Sequence, residues 1–150
     1  MTPGTVAPVK PRLVVAAVLL AFVAGCGGSD EDTFDARIAL VVPDNNIREE
    51  GAECAGARPF RHVHKGTQFR IEAGDGTVVA DGELPAGKAA NADPSIDWNA
   101  PKIPTVCVMT FEVELPERSR YRIVIEGSVP TFFARSLVHE GETVRLQLAG

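Results

Sequence analysis

The chain has 150 residues, with 15 Lys or Arg against 20 Asp or Glu, a formal net charge of −5 and three cysteines. That balance argues against nucleic acid as a partner, because such affinity rests on Lys and Arg neutralising phosphates. The length suits one domain, and no C-x-x-C pair of the zinc-binding kind is present.

The N-terminal segment reads as a leader. Lys10 and Arg12 give a positive flank with no acidic residue before Asp30, and Leu13 to Val23 is almost purely apolar. This run is too short for a hydrocarbon core of about 30 Å, which needs ~20 residues, so it reads as a signal-peptide core. Val23-Ala24-Gly25-Cys26 follows. Small residues directly before a cysteine form the processing box of a bacterial lipoprotein, with cleavage before Cys26 and a diacylglyceryl group on its thiol. An uncleaved anchor with an incidental cysteine is the competing reading. The expected organisation is a signal peptide over 1–25, a lipidated tether over 26–35 and a folded domain over 36–150. Gly27-Gly28-Ser29 and Asp30-Glu31-Asp32 make the tether flexible and acidic, with a reach on the order of 20 Å. Acyl chains hold the polypeptide at the membrane while leaving it outside. The expected location is therefore the extracytoplasmic face of the cell membrane. Removing the leader takes Lys10 and Arg12 with it, so the mature chain is more acidic still.

Beyond the tether, period-two alternation replaces helical periodicity. Ile38, Leu40 and Val42 alternate with Arg37, Ala39 and Val41 until Pro43-Asp44-Asn45-Asn46 breaks the run. Thr67, Phe69 and Ile71 oppose Gln68, Arg70 and Glu72; Gly74-Asp75-Gly76 turns the chain, and Thr77 to Ala80 returns as a hairpin partner. Cys107, Met109, Phe111, Val113 and Leu115 alternate with polar residues up to Pro116. Tyr121, Ile123 and Ile125 form the next apolar set, Thr131 to Ala134 a short strand, and Val144, Leu146 and Leu148 the last one. About seven short strands, each with one apolar face, predict an all-β antiparallel β-sandwich.

Cys54 and Cys107 remain after the lipid cysteine. In an oxidising compartment they are expected to form a disulfide that staples the core, the alternative being two buried thiols. The connection from Leu84 to Thr105 carries Pro85, Pro94, Pro101 and Pro104, together with Trp98, Asp93, Asp97 and Lys102. A connection this long is often functional. It makes Trp98, with Asp97, a candidate contact for an envelope protein or polymer; in the alternative, Trp98 caps the open end of the sandwich. His62-Val63-His64, read as extended, points both imidazoles the same way and makes His62 and His64 weak candidates for sharing a metal, with His139 or Glu140 as a third ligand. Two solvated histidines flanking a core valine is the simpler reading. Arg58, Arg61, Arg118, Arg120 and Arg122 are candidates for binding an acidic polymer; Arg120 and Arg122 share a strand face, and cross-strand pairing with Glu112, Glu114 or Glu126 is the simpler reading. No Gly-x-Ser-x-Gly elbow, phosphate loop or H-E-x-x-H motif is present, so catalysis and a cofactor are not expected.

Gly66-Thr67-Gln68-Phe69-Arg70-Ile71, Asp75-Gly76-Thr77-Val78-Val79 and Gly82-x-Leu84 resemble a segment of small secreted actinobacterial lipoproteins. Cys107-Val108-Met109-Thr110-Phe111-Glu112-Val113, Pro116 and Tyr121-Arg122-Ile123-Val124-Ile125 resemble their second half, and Cys54 with Gly56 resembles the site of their first cysteine. The resemblance spans roughly Gly51 to Leu148. It implies an immunoglobulin-like or transthyretin-like sandwich and no catalytic residue. The expectation is a lipid-anchored, non-enzymatic binding module of the cell envelope, the alternative being a metal-binding envelope lipoprotein that uses His62 and His64.

Replacing the acyl acceptor tests the anchor. Cys26→Ser is expected to abolish metabolic palmitate labelling of the chain; equal labelling of the two proteins would sink the lipoprotein reading.

Overall fold

A computed structural model describes residues 31–148; Cys26 and the leader lie outside the described residues. Nine strands form two sheets among these residues: β1 (Thr33–Arg48), β2 (Glu53–Cys54), β3 (Gln68–Ala73), β4 (Val78–Glu83), β5 (Gly87–Asn91), β6 (Ile103–Pro116), β7 (Arg120–Ile125), β8 (Thr131–Ala134) and β9 (Thr143–Gln147). The five-stranded sheet has the order β2-β5-β6-β1-β9 and the four-stranded sheet the order β4-β3-β7-β8. All pairings are antiparallel except β1 with β9. This is the all-β sandwich expected from the alternation. β1 begins at Thr33, ahead of position 36.

The inward faces are the apolar sets of the sequence. Ile38, Leu40, Val42, Cys107, Met109 and Leu115 from one sheet meet Ile71, Tyr121, Ile123 and Ile125 from the other, all buried in one cluster with Val144 and Leu146. Phe69 on β3 packs on Phe111 on β6 with ring centroids 4.6 Å apart, an aromatic contact between the sheets. Where the chain crosses from β6 to β7, the Tyr121 hydroxyl donates to the Pro116 carbonyl at 2.6 Å and accepts from the Arg118 N–H at 2.8 Å. One side chain thus pins the corner between the sheets, as tyrosine corners do in other sandwiches.

β1 and β6 pair along nearly their whole lengths, from Thr33 opposite Pro116 to Arg48 opposite Ile103. They give the sandwich two distinct ends. The near end holds Thr33, the Pro116–Ser119 corner and the Gly74–Gly76 turn. The far end holds Arg48, Ile103, the connection after β5 and the segment from 55 to 66 that links the two sheets. Phe60 and Val63 of that segment are buried in the core cluster and plug the far end.

Two expectations change here. The Pro43–Asn46 stretch does not end a strand. The register shifts between Pro43 and Asn46, and pairing then resumes to Arg48. The break is a β-bulge, so the turn-like residues sit inside a continuing strand. The connection read as running from Leu84 to Thr105 is also shorter. β5 occupies Gly87–Asn91 and β6 starts at Ile103, leaving 92–102 as the loop. β5 has little β propensity in Gly-Lys-Ala-Ala-Asn, and pairing with β6 on one side and β2 on the other holds it in the sheet.

A disulfide joins Cys54 to Cys107, with Cα atoms 5.7 Å apart and a sequence separation of 53. Closing such a loop stabilises the fold by about 4 kcal/mol on the chain-entropy account. Gly87 makes room for the bond. A Cβ there would lie 2.3 Å from the Cys107 sulfur and 2.9 Å from the Cys54 carbonyl oxygen. Gly87→Ala is therefore expected to lower stability by about 1–3 kcal/mol, the usual cost of overpacking, and to raise the fraction of free thiol in non-reduced protein. Chemical denaturation and thiol titration read the two effects. Wild-type stability with a fully formed bond would mean that β5 can move aside.

Candidate functional site

The far end carries two of the three buried polar side chains of the described residues, Asp44 and Thr105, the third being Glu72 on β3. The bulge of β1 turns Asp44 inward until it is 1% exposed. Its carboxylate accepts from Asn46 Nδ2 at 2.7 Å, from Arg48 Nε at 2.7 Å and from the Thr105 hydroxyl at 2.9 Å. A buried carboxylate without partners would cost several kcal/mol; here two polar neighbours and one cation satisfy it. Burial pushes the Asp44 carboxyl up, but the hydrogen bonds from Arg48, Asn46 and Thr105 and the Arg48 charge outweigh it and hold the group below its ordinary value.

Asp44 and Arg48 form one wall of a cleft of about 440 Å³. The opposite wall is the 55–66 segment, through Gly56, Arg58 and Arg61. That segment is tied down at several points. The Gly56 N–H donates to the Val63 carbonyl at 2.8 Å, and the Ala57 N–H to the Pro43 carbonyl at 2.9 Å. Gly56 packs so closely on the Phe60 backbone that a Cβ would lie 2.2 Å from the Phe60 oxygen. His62 Nε2 lies 2.7 Å from the Ser128 hydroxyl, clipping the segment to the β7–β8 connection.

The histidine segment is not the extended one that the sequence suggests: residues 62–64 lie outside any strand. His62 is engaged with Ser128, and His64 Nδ1 lies 2.9 Å from the Lys65 carbonyl oxygen. Val63 is buried, as a core valine between them should be. Among the described residues no three His, Cys, Asp or Glu side chains come together.

Trp98 sits in the 92–102 loop, half-buried and outside the core cluster. It is not the cap of the open end; Phe60 and Val63 are. Its indole N–H donates to Asn91 Oδ1 at 3.1 Å, which also accepts from the Asp93 N–H at 2.9 Å. Asp97 Oδ1 accepts from the Asn99 N–H at 3.1 Å, and Asp93 Oδ1 from the Ser95 hydroxyl at 2.6 Å. The loop is thus folded on itself by short-range side-chain bonds of the Asx-turn kind. At its stem, Asn91, Ala92 and Pro94 border a groove of about 730 Å³ on the outer face of the five-stranded sheet, opposite Glu50, Arg145 and Gln147.

Cross-strand ion pairing occurs for Arg122, with a partner other than those expected, while Arg120 has no ion pair among the described residues. Arg122 pairs with Glu72 at 2.5 Å and Arg70 joins the same carboxylate at 2.6 Å, because β7 neighbours β3 and not β6. Hydrogen bonds from Arg70 and Arg122 hold the Glu72 carboxyl below its ordinary value. Glu112 pairs instead with Arg37, and Glu114 accepts from Thr33. Sequence reasoning passed over Asp44, the most completely buried acid of the far end. Its one local signal was an Asp four residues before an Arg, inside what read as a turn.

Because the folded-state pKa of Asp44 is depressed, its stabilisation is present above the unfolded carboxylate range, near 3.9, and is lost as pH falls through the folded value. Asp44→Asn is expected to cost about 1–3 kcal/mol at neutral pH, the range for breaking a buried charged hydrogen-bond set. The difference from wild type should begin to shrink as pH falls below the unfolded value and be lost only as pH passes through the depressed folded value, where native Asp44 becomes protonated. Denaturant melts from pH 2 to 7 measure this, and a difference that stays constant over that range would remove the carboxylate from the account.

No family model, curated protein or solved structure matches this chain.

Proposed function

We propose that this protein is a lipid-anchored, extracytoplasmic β-sandwich of the cell envelope that works as a non-enzymatic binding module and presents its far end to its partner. The polarity of β1 carries the reading. Cys26 to Thr33 spans at most about 25 Å of chain, and Thr33 lies at the near end. β1 then runs 16 residues, roughly 50 Å, to the far end. A lipid on Cys26 holds the near end to the membrane and points the far end outward. The finer likeness to small actinobacterial envelope lipoproteins belongs to the same reading.

At that far end the 92–102 loop is the partner-contacting element. It is preformed, which lowers the ordering cost of binding; it carries Trp98 and Asp97, and its stem borders an open groove. Aromatic side chains on a rigid support are strong contact residues. The metal-binding alternative with His62 and His64 has less support, since the His62 ring is already bonded to Ser128.

Trp98→Ala is expected to cost about 1 kcal/mol or less, since the ring lies outside the core, while weakening capture of envelope material by the membrane-anchored chain. A stability loss of about 3–5 kcal/mol, the range for truncating a core aromatic, together with unchanged capture would end the loop reading.

A further inference from the structure

We propose that the cleft between the β1 bulge and the 55–66 segment is a phosphate-binding site, taking a dianionic phosphate group through Arg58 and Arg61 over a floor set by the Asp44–Arg48 pair. The inference goes beyond the binding-module reading and needs neither the lipid nor the Trp98 loop.

Charge accounting leads to this cleft. In an acidic chain, Arg37, Arg48, Arg70, Arg118, Arg122 and Arg135 are each matched to a carboxylate. The other described arginines, Arg58, Arg61, Arg120 and Arg145, have no carboxylate partner among the described residues, and of these four only Arg58 and Arg61 line one cleft together. Arg48 lines it as well, with its charge balanced by Asp44. The lining groups therefore carry an excess of two positive charges, which suits a dianion.

The geometry is prepared as well as charged. Arg58 and Arg61 belong to a segment fixed by Phe60 and Val63 in the core and by backbone bonds to Pro43 and Val63. Arg48 is held by two hydrogen bonds to Asp44. Guanidinium groups bind phosphate through paired N–H donors, so cations on a fixed frame lose little freedom when the anion arrives. The cleft admits a phosphate with its first waters: about 440 Å³ compares with about 30 Å³ for one water in the liquid. Asp44 does not repel the anion as a bare carboxylate would, because its oxygens are already occupied by Arg48, Asn46 and Thr105.

Calorimetric titration of the full chain in non-ionic detergent at low salt, with inorganic phosphate as the probe and acetate as a monoanionic comparison, tests the site. Saturable phosphate binding is expected, tighter than acetate and weakening as salt is raised. Arg58→Gln and Arg61→Gln should each weaken it by about tenfold or more, while Arg120→Gln at the near end should leave it unchanged. Both Arg58 and Arg61 are exposed, so the substitutions spare the core, and a thermal melt of each variant confirms it. Absence of saturable binding, acetate binding as tightly as phosphate, or equal loss in Arg120→Gln would overturn the proposal. Failure of palmitate labelling or of capture by the Trp98 loop would leave this result standing, so the two readings fail separately.

Discussion

The long antiparallel ladder between β1 and β6 decides where everything else goes. It runs from Thr33 opposite Pro116 to Arg48 opposite Ile103, so the two longest strands meet in the middle of their sheet and define both of its ends. At one end the chain must turn into β7, and Tyr121 fixes that corner by bonding Pro116 and Arg118. At the other end β1 and β6 outrun the strands of the four-stranded sheet, and the gap has to be filled. The 55–66 segment fills it with Phe60 and Val63. The disulfide secures the flank, joining β2 to β6 across β5, and β5 can lie between them only because Gly87 has no side chain. Core, corner, plug and staple are consequences of the same ladder.

The fold class was legible because it depends on local alternation. Ile38, Leu40 and Val42, or Tyr121, Ile123 and Ile125, show which face is inward without any knowledge of neighbours. Features set by distant partners were not legible. Pro43-Asp44-Asn45-Asn46 has the composition of a turn. It stays within β1 because Thr105, far along the chain, receives Asp44 and the ladder resumes beyond it. Gly87–Asn91 has a loop-like sequence and is a strand because of what lies on either side. Arg122 was bound to find a carboxylate, but Glu72 rather than Glu112 follows from strand order, which alternation does not encode.

The same distinction governs the candidate sites. Trp98 and Asp97 stand out in a sequence because tryptophan is rare and the connection is long, and both do lie at the far end. Their hydrogen bonds show that each also serves the loop itself, Trp98 through Asn91 and Asp97 through Asn99. His62 and His64 stood out for their spacing, which places both rings on one side only in an extended segment; the segment is not a strand, and each ring has a partner of its own. Arg58 and Arg61 stood in the sequence only as two of five arginines for which ion pairing was the simpler reading. What distinguishes them is that they lack a carboxylate partner among the described residues and line one cleft together, and that follows only from seeing where the carboxylates went.

Asp44 links these observations physically. A carboxylate this deeply buried makes sense only with all its hydrogen-bond capacity filled, and filling it fixes Asn46, Arg48 and Thr105 at once. The bulge is therefore more than an irregularity in a strand. It converts the end of β1 into a rigid polar shelf, with Arg48 held in one orientation instead of sweeping through solvent. Facing it, the plug segment is equally constrained, because Gly56 and Phe60 are in backbone contact and Phe60 and Val63 are in the core. Two rigid walls with unbalanced positive charge between them cannot relax by rearranging toward each other. A compact dianion is the kind of group that can neutralise such a cleft without disturbing either wall.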